Sequence, residues 1–334
     1  MLIRVVDGAS VTTGSARSQE QRLAQDVREG LRAALPTVPC AYLYDDRGSR
    51  LFDEITRQPE YYQTRTEEAL LDRIAGTVAE GVRPQELVEL GSGVGRKIRS
   101  VLDALAQIDG PRRCTLFDIN ERFLTDSVSR LAAEYPAVRF AGVHGDFRHD
   151  LTRLGAGGSR LMMLLAGTMG NVHPDGLGPF LRSVARQLEP GDGFLAGVDL
   201  VKGKERLEEA YNDRAGVTAA FNLNILRVLN RELGADFDPE AWEHRAFYDT
   251  EREWIEMRLR SLRPQRVTLP AIDVVRDFGP GDEIRTEISA KYTRESLRSR
   301  LAGTGLGLDQ WHTDPEQRFA LALLRRNVAD TDVS

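Results

Sequence analysis

The sequence predicts an α/β protein: a doubly wound parallel sheet, with a second α+β domain assembled from segments on either side of it. Three observations carry this prediction. Five short apolar segments alternate with helical periodicity over residues 86–200. The first of them runs straight into Gly91-Ser92-Gly93-Val94-Gly95 and then into a helical pattern, which is the opening unit of such a sheet. After residue 200 the alternation stops and gives way to one long helical stretch and then to strands joined by turns. A chain of 334 residues has room for two domains.

In chain order the elements are justified as follows. Residues 1–19 are small and polar and are expected to be flexible. Leu23, Val27, Leu31 and Leu35 recur every four residues, so 19–35 reads as an amphipathic helix. The block 36–67 places Leu51, Phe52 and Ile55 at helical spacing, and Leu70, Leu71, Ile74 and Val78 mark a further helix over 67–79. Residues 86–90 form the first strand, and Ile98, Val101, Leu102 and Leu105 the helix after the glycine turn. Residues 114–118 are a second strand ending on an acid, followed by a helix over 121–134. A third strand over 138–143 leads to Gly145-Asp146-Phe147. Residues 161–166 are continuously apolar, as a strand buried on both faces requires. Pro179 suits the first position of a helix over 179–188, and a fifth strand spans 194–200. Residues 204–233 are mostly helical, with Phe221, Ile225, Val228 and Leu229 on one stripe. Strands are expected over 254–261, 267–275 and 283–291. Thr293 suits the N-cap of a helix ending at Leu301, and strands over 308–312 and 319–324 close the chain.

Composition excludes several function classes. Lys+Arg of 45 against Asp+Glu of 51 gives a net charge of −6, which argues against nucleic acid or an anionic membrane as partner. Two cysteines, Cys40 and Cys114, exclude a disulfide scaffold and fit a reducing cytoplasm. No apolar run suits a signal peptide or a membrane span. The five histidines show no metal-ligand spacing, so no metal is expected.

The glycine turn indicates the ligand. A dinucleotide turn needs a glycine where this chain has Arg96. The arrangement is instead acid-x-Gly-x-Gly-x-Gly, with Glu89, Gly91, Gly93 and Gly95, the pattern of enzymes that bind S-adenosylmethionine (SAM). Asp118, at the end of the second strand, is placed for the ribose hydroxyls, and Asp146 and Phe147 for the adenine amino group and ring face.

Beyond this common core the chain resembles the histidine Nα-methyltransferases of ergothioneine biosynthesis. The resemblance runs from about residue 20 to about 325. Its specific blocks are YDDRGSRLFDEITRQPEYYQTR, LVELGSG, GTMGN, AYNDRAGVTAAFN and TEISAKY. It implies a Rossmann-like class I SAM-dependent methyltransferase sheet over 66–200 and 292–334, and a discontinuous substrate-binding domain over 20–65 and 201–291. It implies that Gly91, Lys97, Asp118, Asp146 and Phe147 bind the cofactor. Lys97, at the start of the helix after the turn, could meet the methionine carboxylate. Substrate contacts are implied at Tyr61, Asn171, Tyr211, Met257, Glu287, Ile288 and Ser289. Tyr44 and Asn171 are implied at the reacting amine. On sequence alone Asn171 serves equally as a loop asparagine, and the tyrosines as ordinary half-buried residues. Glu287 and Ser289 lie two apart on a strand and so face one side, where they could hold the two nitrogens of an imidazole.

The implied reaction is methylation of the α-amine of L-histidine, three times over, to hercynine, by a cytoplasmic monomer. Tyr61, Tyr62 and Phe221 are candidates for an aromatic wall against the quaternary ammonium product. Two alternatives stay open: the same fold acting on another amino acid such as an indole-bearing one, and a non-catalytic SAM-binding module. Glu287 argues against the first, because a carboxylate in an indole pocket is poorly satisfied.

Overall fold

The computed structural model describes residues 2–6, 9–13, 16–155 and 158–327. Contacts divide the chain into two compact units, one of residues 1–13, 63–201 and 291–334, the other of residues 14–62 and 202–290.

The first unit is built on a nine-stranded sheet of order β1-β2-β5-β4-β3-β6-β7-β14-β13. Its strands are β1 (Leu2–Val6), β2 (Ala9–Thr13), β3 (Glu86–Leu90), β4 (Arg113–Asp118), β5 (Arg139–His144), β6 (Arg160–Leu164), β7 (Gly193–Asp199), β13 (Leu306–Thr313) and β14 (Phe319–Arg326). From β2 to β7 all pairings are parallel, and β14 then pairs antiparallel with β7. Crossover helices α3 (Tyr62–Val82), α4 (Ile98–Ala106), α5 (Glu121–Glu134) and α7 (Pro174–Ala185) alternate with these strands. β3 has β4 on one side and β6 on the other, so the chain reverses its winding direction there, and ligands of open α/β sheets bind outside the carboxyl ends of the strands at such a point. Every residue of β3, β6 and β7 is buried, which explains their apolar-rich character. Helix α10 (Arg294–Leu301) starts at Thr293 with a reciprocal cap between Thr293 and Ser296.

The second unit contains α1 (Ala16–Arg32), α2 (Asp46–Ile55), α8 (Lys204–Glu209), α9 (Val217–Leu233) and two antiparallel sheets. β8 (Trp242–Asp249), β9 (Trp254–Ser261) and β12 (Glu283–Ala290) form the order β12-β9-β8, and β10 (Gln265–Leu269) pairs with β11 (Val274–Phe278). The stripe of α9 is buried at Phe221, Ile225, Val228 and Leu229. A β-bulge interrupts β12 between Arg285 and Glu287.

Several elements differ from the sequence expectation. Two strands occupy the N-terminal segment expected to be flexible: β2 adds to β5 and buries Val11, a contact that composition does not reveal. Residues 1, 7, 8, 14 and 15 of that segment lie outside the described residues. The helix assigned to start at Pro179 begins instead at Pro174, capped by the His173 side chain, and encloses Pro179. The single strand over 267–275 is two, because Pro270 opens a turn and Asp273 adopts a left-handed conformation there. β8 has alternating burial that the apolar count missed.

Candidate active site

The glycine turn follows β3, and all three of its glycines have left-handed φ: 71° at Gly91, 51° at Gly93 and 62° at Gly95. Their surroundings differ. A Cβ on Gly95 would sit 3.0 Å from Leu131 of α5, so this glycine serves helix packing. A Cβ on Gly93 would meet nothing within 4 Å. A Cβ on Gly91 would approach Phe147, whose ring lies 5.8 Å from that of Phe180.

Three acids frame this turn. Asp118 accepts from the Gly93 N–H at 2.7 Å and from the Asn120 N–H at 2.9 Å. Burial pushes its carboxyl up, against these backbone donors, which draw it down. Each oxygen keeps a further lone pair, so buttressing the turn is compatible with holding a ligand hydroxyl. Asp146 caps the short helix α6 (Phe147–Asp150) and is gripped by the Arg148 guanidinium. Burial raises its carboxyl, and Arg148 outweighs this and holds it below the usual range. Glu89 is 3% exposed, and its Oε2 has no hydrogen-bond partner. Burial raises its pKa to about 8, with Lys97 the main opposing influence.

Lys97 precedes the first residue of α4 and is ion-paired with Glu67 of α3. Glu67 is fully buried and also accepts from the Ala166 N–H with both oxygens, at 2.9 and 2.8 Å. Ala166 and Gly167 both have left-handed φ, so Glu67 clamps a strained turn at the end of β6. That turn leads into a 3₁₀ helix over Thr168–Asn171, which places Asn171 beyond the carboxyl end of β6. Sequence reasoning did not single out Glu67, which looks like one acid among several on a helix. Its lysine partner uses one of three ammonium donors in this pair.

A cationic ligand rich in donors fits this turn. The orphaned, buried Glu89 Oε2 and Ser92 Oγ supply acceptors, and Gly93 leaves space beside them. Among the described residues no group of histidine, cysteine and carboxylate side chains is arranged to hold a metal ion, and no helix is long and apolar enough to cross a membrane.

The second unit gathers the other implied residues. Five rings form a continuous series of contacts. Tyr44 meets Phe52 at 5.5 Å and Phe221 at 5.4 Å, Phe52 meets Tyr61 at 6.2 Å, and Tyr61 meets Tyr211 at 6.3 Å, all edge-to-face. Phe52 belongs to this cluster although the sequence marked it only as helix core. Tyr62 also meets two cations. Its ring is engaged by the cations of Lys202 at 4.8 Å and Arg206 at 5.2 Å, and its hydroxyl accepts from Lys202. Burial and then the Glu287 carboxylate push the Tyr44 phenol well above its ordinary value, so it stays protonated at neutral pH.

Glu287 lies opposite Met257 and Ser289 opposite Ile255, so these four share the inner face of the sheet. The Tyr211 hydroxyl donates to Ser289 Oγ at 2.8 Å. Ile288 lies opposite Glu256, on the other face, among the Arg258 and Arg285 ion pairs of Glu256. Its side chain therefore does not share the face of Glu287, because adjacent strand residues point to opposite sides.

Comparison with known proteins places the chain in a family. Residues 23–326 match the family described as histidine-specific methyltransferase, SAM-dependent. A histidine N-alpha-methyltransferase of Mycolicibacterium smegmatis is 44% identical over 312 residues, covering 93% of this chain and 97% of that protein. One from Mycobacterium tuberculosis is 43% identical, covering 90% of this chain and 94% of that protein. Ergothioneine biosynthesis protein 1 of Schizosaccharomyces pombe is 33% identical, covering 64% of this chain and 29% of that protein. The chain belongs to the histidine-specific, SAM-dependent methyltransferase family.

Proposed function

We propose that this enzyme methylates the α-amine of L-histidine three times to give hercynine, the first step of ergothioneine biosynthesis. The names of its relatives support the substrate and the pathway. The observation that carries the reading is the inner face of β12, where a buried carboxylate, Glu287, stands two residues from a hydroxyl, Ser289, already fixed by Tyr211. A carboxylate accepts from one imidazole N–H, and a serine hydroxyl can donate to the other nitrogen.

SAM, when bound, supplies an electrophilic methyl group on a sulfonium. Gly91 and Gly93 allow close approach of the backbone, Asp118 would take the ribose hydroxyls, and Asp146 and Phe147 the adenine. Lys97 would meet the methionine carboxylate, and Glu89 would face positive charge. For the substrate, Asn171 and the phenols of Tyr61 and Tyr211 would hold the amino-acid head, with Met257 lining the pocket beside the imidazole. Tyr44 stays a neutral phenol, so it orients the amine or a water beside it as a hydrogen-bonding group and not as a phenolate base. The rings of Tyr44, Phe52, Tyr61 and Phe221 would stabilise a trimethylammonium through their faces, at about 0.5–2 kcal/mol per well-placed face. Holding the reactants in line supplies most of the acceleration, roughly 7–11 kcal/mol. The reading includes a monomer working in the cytoplasm on a small molecule, without nucleic acid or membrane, and the mild net negative charge supports the last point, arguing against nucleic acid or an anionic membrane as partner.

The test is incubation with SAM and each standard amino acid, with product masses read for one, two or three added methyl groups. Histidine alone should reach three. Transfer to another amino acid in preference to histidine, or to none, would overturn the proposal.

A further inference from the structure

One amide in the second unit reaches all three strands of the β12-β9-β8 sheet. Asn222, in the middle of α9, is fully buried. Its Nδ2 donates to the Arg258 carbonyl of β9 at 3.0 Å and lies 2.9 Å from Nδ1 of His244 on β8. Its Oδ1 accepts from the Thr286 hydroxyl of β12 at 2.5 Å. The second nitrogen of His244, Nε2, lies 2.9 Å from the Tyr211 carbonyl.

These contacts determine every proton. A carbonyl can only accept, so His244 Nε2 carries the hydrogen and Nδ1 is the acceptor for Asn222. Arg258 and His244 then require the NH₂ of Asn222, and Thr286 requires its oxygen. The Asn222 amide and the His244 imidazole each have one compatible orientation, and the single Thr286 hydrogen is directed to Asn222 Oδ1, the nearer of its two acceptors.

Thr286 is the extra residue of the bulge. Arg285 lies opposite Arg258 and Glu287 opposite Met257, so the partner advances by one residue while β12 advances by two. Were β12 paired regularly, Thr286 would lie opposite Met257, and strict alternation would turn Glu287 and Ser289 to the outer face, among Glu256 and Arg258. A bulge also leaves ladder groups unpaired. Asn222 supplies the donor for the Arg258 carbonyl, and the Thr286 hydroxyl lies 3.1 Å from the Met257 carbonyl.

We propose that Asn222, through Thr286 and His244, is the positioning residue for substrate recognition: it pins the β12 bulge that turns Glu287 inward and anchors the backbone of Tyr211, whose hydroxyl holds Ser289. This rests on the reading above that Glu287 and Ser289 grip the imidazole. Asn222 touches no substrate itself. Its effect is on affinity for histidine and on discrimination against apolar amino acids, not on SAM binding, whose residues belong to the first unit.

The test compares Thr286→Val, Thr286→Ser, Asn222→Ala and Glu287→Ala, each alone, and Thr286→Val combined with Glu287→Ala. The readouts are KM and kcat for histidine, SAM affinity by calorimetry, and the ratio of turnover on histidine to that on phenylalanine. Thr286→Val should raise the histidine KM on the order of ten- to hundredfold, as expected for a displaced contact group, and leave SAM affinity within about twofold. Thr286→Ser keeps the hydroxyl and should restore most of the loss. Combined with Glu287→Ala, Thr286→Val should add little, because the two changes act through one contact. A histidine KM within about twofold of the parent in Thr286→Val, beside a large rise in Glu287→Ala, would overturn the positioning role and leave the imidazole reading standing. An unchanged KM in Glu287→Ala would bring down both. Asn222→Ala is the more disruptive variant. If it does not fold, the contrast between valine and serine at 286 decides the matter alone. Equal losses of SAM and histidine affinity in Thr286→Val would show a general structural defect and also overturn the proposal.

Discussion

Replacing Glu89 by glutamine tests the electrostatics of the glycine turn directly. Glu89 is 3% exposed, has one oxygen without a partner, and has its pKa raised from 4.5 to about 8, chiefly by burial. Between those two values the folded chain holds a proton that the unfolded chain has released. Each pH unit of that interval therefore removes about 1.4 kcal/mol of stability, and the whole interval about 5 kcal/mol. The contribution is fully present below pH 4.5 and is lost as the pH rises through 8. Glutamine cannot ionise, so the variant lacks this slope. Thermal melts of the ligand-free parent and Glu89→Gln between pH 5 and pH 9 should show the variant gaining on the parent as pH rises, by on the order of 10 °C over the interval. A constant offset between the two curves would refute the reasoning, because it would mean that Glu89 does not titrate there. The same carboxyl links binding to proton release. At pH 7 it is mostly protonated in the free chain, and a nearby positive charge favours its ionised form. SAM binding should then release roughly one proton, seen by calorimetry in two buffers of different ionisation enthalpy, and Glu89→Gln should abolish that release.

Two further substitutions follow from the same loops. Glu67→Gln removes the partner of Lys97 and a charge from the Ala166 turn. Leaving a mostly buried ammonium uncompensated should lower stability by about 3 kcal/mol in denaturant unfolding, and a loss below about 1 kcal/mol would contradict the clamp. Gly93→Ala and Gly95→Ala should separate function from folding. Both meet the left-handed penalty of about 1–2 kcal/mol, but only Gly95 also presses its methyl against Leu131. Gly93→Ala should fold and lose SAM affinity, whereas Gly95→Ala should show the larger drop in melting temperature. The reverse order would refute the division of roles.

Where the sequence was legible, short-range physics was at work. Strand β3, the glycine turn and α4 appear in it because a switch from a short apolar-rich segment to helical spacing, with glycines between, has few structural solutions. Thr293 was legible as a cap because its partners lie within three residues. The face shared by Glu287 and Ser289 follows from their separation by two. The misplacements have equally local causes. Pro179 carries the signal of a helix start, and Pro174, behind the stronger cap of His173, is the actual one. Val267 to Val275 has strand composition throughout, and only the turn at Pro270 divides it. β8 runs Glu243-His244-Arg245 before Ala246-Phe247-Tyr248, so its sequence lacks the apolar alternation of a half-buried strand.

The sequence by itself determined the fold class, the order of the sheet-forming segments, and the chemistry available at the ends of the strands. Period and glycine spacing are properties of neighbouring residues. Only the tertiary structure decided how those groups are used. It pairs Lys97 with Glu67, thirty residues apart, and buries Glu89 with one oxygen lacking a hydrogen-bond partner. It assembles the aromatic cluster from Tyr44, Phe52, Tyr61, Tyr211 and Phe221, and sets Lys202 over the ring of Tyr62. It joins Asn222 to Thr286 across sixty-four residues to set a bulge that no periodicity announces. Pairing, desolvation and register all depend on which distant side chains meet, and the distance along the chain carries no information about that.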